Sequence, residues 1–177
     1  VSLRGTTGEH YEVRTLMLDD NDQPQEAKDF LKNMQFGSPN TRLDRWIILE
    51  ATKKLSAKID SSADTRLFIN LTKHSLLDET LIAWLGVALK AGGIPAEAIT
   101  FQFVEQDISQ SLKPAEEFAK AVKAMGCKIS ITQFGLNDDP CKVMKQLQAD
   151  FAKIAHSYAA DIQSGGAVSY THLRAHE

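Results

Sequence analysis

The chain is 177 residues long, 43% hydrophobic and 24% charged, with a net charge of −3. That length suits one globular domain with a real core, and without a broad basic field nothing suggests bulk binding to nucleic acid or to a membrane surface, so a small anionic ligand needs local donors. The two cysteines, Cys127 and Cys141, lack metal-ligand spacing, which argues against a zinc site or disulfide framework and reads as unpaired thiols in a reducing, cytoplasmic compartment.

No apolar run approaches the roughly 18 residues of a membrane span, and no secretory leader is visible. The chain opens at Val1, which leaves room for a leader or whole domains upstream. From Glu9 to Leu18 the alternation predicts one strand with Glu12, Arg14 and Leu16 on a single face. Asp19 to Pro24 is a turn cluster, and Gln25 to Phe36 has the apolar spacing of an amphipathic helix through Ala27, Phe30, Leu31 and Met34. Thr41 is the expected N-cap of the next helix, with Asp44 and Arg45 in its first turn and Leu43, Trp46, Ile47, Ala51 and Leu55 on its apolar side.

Thr65 to Thr72 reads as a strand buried on both faces, ending in the polar Asn70, with a helix following from Asp78 to Ala91 and closed by Gly92 and Gly93. Ile99 to Glu105 is the next strand, with Gln102 and Glu105 as its polar residues, and Pro114 to Met125 the helix after it. Cys127 to Gly135 then reads as a core strand: Ile129 and Ile131 alternate with Ser130 and Thr132, and its end opens into amides and hydroxyls. Pro140 to Leu147 is a short helix, and Phe151 to Ile154 a brief strand carrying Lys153. Strands alternating with helices predict stacked βα units, and right-handed crossovers place Asn70, Gln102, Gln133 and Lys153 on one rim. Residues 168–177, VSYTHLRAHE, read as an adaptor-like, non-native tail, leaving 1–167 as a partial domain.

Taken in order, these residues resemble the EAL domains, a family that hydrolyses or senses cyclic di-GMP and folds as a modified (β/α)8 barrel. Tyr11-Glu12-Val13 matches the EAL signature, Leu43-Asp44-Arg45-Trp46 the family's L-D-R-W, and Ile69-Asn70-Leu71-Thr72 its V-N-L-S. Phe101 to Glu105 falls at E-x-T-E, Thr132-Gln133-Phe134-Gly135 at D-D-F-G, and Asp150 to Lys153 at V-D-x-L-K. The T-Q-F-G variant is most similar to the degenerate EAL domains of FimX-type receptors in twitching motility. The resemblance implies an α/β fold, a truncated modified TIM barrel of the EAL type. A full barrel needs about 250 residues, so the closing C-terminal strands are expected beyond this segment.

By the same resemblance, active relatives hold two divalent cations among carboxylates. Glu12 and Asn70 keep ligand chemistry here, whereas Gln102, Thr132 and Gln133 stand where the family has acids. With those charges gone, no divalent metal cofactor and no hydrolysis are expected. Binding of cyclic di-GMP itself is eased, because unneutralised carboxylates would repel its phosphates. The implied ligand set is Glu12, Arg14, Asp44, Asn70, Gln102, Glu105, Gln133 and Lys153, with Asp44 on a guanine and a PilZ-like adaptor as protein partner. Leu16 replaces the family's phosphate-clamping Arg, a role Arg14 is positioned to take over from the same strand face.

Plainer roles stand beside these. Glu12 and Arg14 can form an inert ion pair, Asp44 can favour a helix amino terminus, and Asn70 can be a satisfied core amide. Gln102 and Gln133 can hydrogen-bond each other, and Lys153 needs an anion or a carboxylate such as Glu105. The overall reading is a catalytically inactive receptor, with a non-binding interaction scaffold or a weak phosphodiesterase as alternatives.

Overall fold

The computed structural model describes residues 9–19, 21–26, 38–59 and 65–158. In chain order its elements are β1 (Glu9–Glu12), β2 (Leu16–Leu18), β3 (Pro24–Glu26), α1 (Ser38–Ile59), β4 (Thr65–Asn70), α2 (Lys73–Leu76) and α3 (Leu81–Gly92). There follow β5 (Ile99–Val104), α4 (Glu105–Gln110), α5 (Leu112–Ala124), β6 (Lys128–Phe134), α6 (Pro140–Leu147) and β7 (Phe151–Ile154). Five strands form one parallel sheet in the order β1-β4-β5-β6-β7, with helices in the connections, while β2 and β3 pair antiparallel in a separate ribbon.

Period-two alternation sorts the sheet into two faces. Leu67, Ile69, Ile99, Phe101, Phe103, Ile129 and Ile131 point to the helices and are buried against Ile48, Leu85, Phe118 and Val122 among others. The Phe118 ring meets Phe101 and Phe103 edge-on, at 6.0 and 5.2 Å, which is the favoured aromatic geometry. On the other face the register lines up Phe68 with Thr100 and Lys128, and Asn70 with Gln102 and Ser130.

Five strands laid flat would put β1 and β7 about 19 Å apart. Instead the His10 and Phe151 rings lie 6.4 Å apart, each also against Phe68 at 5.6 and 5.2 Å. The sheet is therefore curled into a half-barrel whose edge strands meet through side chains, a truncated TIM-like α/β barrel. His10 stays exposed while its ring meets this cluster.

Several expected boundaries shift. The predicted strand 9–18 breaks at residues 13–15, because the Val13 N–H makes its last bond to the Phe68 carbonyl and the chain then turns into the β2–β3 ribbon. Arg14 thus does not share a strand face with Glu12 and Leu16. Gln25 and Glu26 belong to β3, and the rest of the predicted helix, 27–36, lies outside the described residues, as does the whole segment 159–177 with its adaptor-like tail. Helix α1 begins at Ser38, so Thr41 is not its cap and Asp44 and Arg45 lie beyond its first turn. Phe68 is only half-buried, so β4 is fully covered on its helix side alone. Glu105 opens α4 and does not end β5. The helix predicted at 78–91 starts at Leu81, and Gly93 ends it in the left-handed region, φ 60°, as a C-cap.

Both thiols are free, and Cys127 is buried. Burial, helped by Glu97, pushes that thiol up to about 12, which makes it inert. Among the described residues no helix is long and apolar enough to cross a membrane.

Candidate functional site

Parallel strands with crossover helices send their carboxyl ends to one side, the side that carries chemistry in barrels of this kind. Here that rim holds a connected polar network. Lys153 Nζ donates to Glu12 Oε2 at 2.8 Å and Oε1 at 3.0 Å. Glu12 Oε1 also accepts from Gln102 Nε2 at 3.1 Å and Asn70 Nδ2 at 3.3 Å. Gln102 Nε2 donates as well to Asn70 Oδ1 at 3.1 Å, and its Oε1 accepts from Ser130 Oγ at 3.2 Å. Four strands of the sheet, β1, β4, β5 and β7, thus contribute one long side chain each, and β6 contributes Ser130.

Burial of Glu12 opposes ionisation, but hydrogen bonds from Lys153, Asn70 and Gln102, with the ammonium charge, outweigh it and hold the carboxyl below the usual glutamate range. The lysine remains the more accessible partner: its side chain is 59% exposed, against 37% for Glu12.

The remaining predicted site residues are placed differently. Gln133 is exposed, not bonded to Gln102, whose amide is engaged by Glu12, Asn70 and Ser130. Pairing runs from Ile131↔Ala152 to Phe134↔Ile154, three steps on β6 against two on β7, so Gln133 sits in a bulge with φ 53°. Thr132 is buried and donates to the Phe103 carbonyl at 3.3 Å.

Glu105 is 1% exposed and is not the partner of Lys153. Its Oε2 accepts from the backbone N–H groups of Gly135, Leu136 and Asn137 at 3.1, 3.0 and 3.3 Å, fixing the turn after β6. Asp44 is also 1% exposed. Its Oδ2 accepts from the Thr72 N–H and hydroxyl and from Ser75 Oγ, at 2.9, 2.8 and 2.6 Å, and so ties α1 to the segment following β4. Burial pushes this carboxyl above the usual aspartate range, against the pull of Ser75, Thr72 and nearby His74. Arg14 is exposed in the β1–β2 link.

Sequence reasoning overlooked Ser130 as a network member. The signal was present in its parity: it shares the interior face with Lys128 and Thr132, two positions away on either side.

A parallel half-barrel with one carboxylate, two amides and a lysine joined at its strand ends defines a polar rim of the α/β-barrel class. The chain belongs to the EAL domain family, whose family model matches residues 1–171. It is similar to the FimX EAL domain from Pseudomonas aeruginosa bound to c-di-GMP, at 35% identity and a TM-score of 0.82, covering 92% of this chain and 65% of that one. The Xanthomonas citri FimX EAL domain in complex with c-diGMP shares the fold, with a TM-score of 0.78 at 24% identity over 88% of this chain and 61% of that one. Among curated proteins, the cyclic di-GMP phosphodiesterase PdeF of Escherichia coli (strain K12) is 23% identical over 163 residues, which is 92% of this chain and 22% of PdeF. The signaling protein YkoW of Bacillus subtilis (strain 168) is 24% identical over 122 residues, 69% of this chain and 15% of YkoW. The chain thus spans less than a quarter of these curated relatives.

Proposed function

We propose that this chain is part of a catalytically inactive EAL domain that binds cyclic di-GMP without a divalent metal, a receptor in bacterial signalling to motility or type IV pili. The observation that carries the reading is the donor set at the rim. A pair of divalent ions needs several hard, charged oxygens. In the network the one carboxylate is Glu12, its Oε1 already accepts from three side chains, and an ammonium stands 2.8 Å from its Oε2, where it would repel a dication. These residues do not fit a two-metal centre, and no hydrolytic step is derived from them.

They do suit an anionic ligand. The accessible Lys153 ammonium is the point charge for a phosphate, and Asn70 and Gln102 supply neutral donors that need no counterion. The likeness to a FimX EAL domain crystallised with c-di-GMP supports the same ligand. Arg14 and Gln133, both exposed, are assigned to the outer part of the site, with Asp44 and Glu105 supporting it from beneath. A PilZ-like adaptor and a cytoplasmic location belong to this proposal. The alternative, an interaction scaffold without nucleotide affinity, is favoured by Leu16 at the position of the family's clamping Arg, exposed in β2.

Calorimetric titration with cyclic di-GMP in EDTA tests the reading. A micromolar or tighter complex is expected, and silence selects the scaffold. Appearance of linear dinucleotide with magnesium or manganese would overturn inactivity.

A further inference from the structure

The turn leaving β6 is held from two sides. From beneath, Glu105 Oε2 takes the N–H groups of Gly135, Leu136 and Asn137. From the other side, Tyr158 Oη donates to the Gly135 carbonyl at 2.9 Å, and its ring packs where a side chain at position 135 would be: a Cβ there would meet Tyr158 Cε2 at 3.3 Å. Gly135 itself has φ 100°, a backbone shape that calls for glycine, and the nearby ring leaves little room for a Cβ.

Tyr158 is tied in turn to the strand bearing Lys153. Its N–H donates to the Ala155 carbonyl at 3.1 Å, and the Ala155 N–H donates to the Phe134 carbonyl at 3.0 Å. The residues just past β7 therefore hook back onto the end of β6, next to the bulge at Gln133. A non-glycine residue in the left-handed region persists only where its surroundings over-determine it. Two carbonyl contacts and three N–H contacts around this turn supply that determination.

We propose that Tyr158 is a positioning residue of the rim: through Gly135 it sets the conformation of the Gln133–Asn137 turn and locks that turn to the Lys153 strand end. It touches no ligand and acts through the backbone it holds. Its effect on affinity rests on the receptor reading above; its effect on the turn does not.

The test uses Tyr158→Phe, which removes only the hydroxyl, and Tyr158→Leu, which also removes the ring over Gly135. Hydrogen exchange followed by mass spectrometry is expected to show amides 135–137 exchanging about threefold to tenfold faster in the Phe variant, the range of one lost hydrogen bond, with helix α5 unchanged. The Leu variant exceeds it. Cyclic di-GMP affinity, measured where both variants are fully folded, falls by a similar factor, which a merely structural role would not produce. Exchange unchanged in both variants, or raised equally in α5, overturns the clamp. A looser turn with full affinity overturns positioning. If the unmutated chain binds no cyclic di-GMP, the receptor reading fails and exchange at 135–137 alone decides the clamp.

Discussion

The Lys153 ammonium lies 2.8 and 3.0 Å from the two carboxylate oxygens of Glu12, joining the edge strands of the sheet across 141 positions of chain. Because Glu12 titrates below its ordinary range, it stabilises the fold above the unfolded-state value near 4.3, and that contribution is lost as pH falls through the lower folded-state value. Both side chains are more than a third exposed, so solvent screening limits the effect to below about 1 kcal/mol. Denaturation between pH 5 and pH 3 is expected to show a slope that Lys153→Met reduces; an identical slope in the variant removes the pair from the balance.

Lys153→Met also tests the ligand. A charged hydrogen bond to phosphate is worth about 1.5–3 kcal/mol, so cyclic di-GMP affinity is expected to weaken by about tenfold or more. The salt dependence of binding should flatten too, since one cation no longer contributes. Calorimetry at two ionic strengths reads both, and an unchanged Kd would place the phosphate elsewhere.

Gln102→Glu restores an acid at the centre of the network. Without metal it replaces a donor to Glu12 and Asn70 with a second carboxylate, and a loss of about 1–3 kcal/mol is expected near neutral pH. Lys153 still faces Glu12, so magnesium or manganese is expected to recover little of it. Full recovery with metal, measured as a shift in melting temperature, would show that one carboxylate suffices to build the centre.

Asp44→Ala leaves three donors from Thr72 and Ser75 without their acceptor, at an expected cost of about 2–4 kcal/mol. The pH sign is opposite to that of Glu12. With its folded-state value raised by burial, Asp44 favours the fold most where both states are protonated, and that stability is lost as pH rises from about 3.9 through the folded-state value. Asp44→Asn should remove this fall in urea denaturation series; retention of it points to another group.

Backbone geometry predicts a contrast at the turn. Gly135→Ala places a Cβ at φ 100° and 3.3 Å from the Tyr158 ring, so a loss of about 1–3 kcal/mol is expected. Gln133→Gly relieves φ 53° and should be neutral or stabilising by up to about 1 kcal/mol. Equal destabilisation by the two, in thermal melts, would contradict this account of the bulge.

The strands at Thr65, Ile99, Lys128 and Phe151 were legible because a run of strand-forming residues is a local property, as was α6 with Pro140 in its first turn. The break at Val13 was not legible, since it depends on where the Phe68 carbonyl lies in a neighbouring strand. Periodicity by itself determined which residues face the helices and which face the interior of the half-barrel. Only the tertiary structure decided that Lys153 meets Glu12 and not Glu105, that Asp44 is spent on Thr72 and Ser75, and that Gln133 turns outward on a bulge. Pairings of that kind are set by the curvature of the sheet, which sums small twists over strands far apart in the chain and leaves no mark in any short stretch of residues.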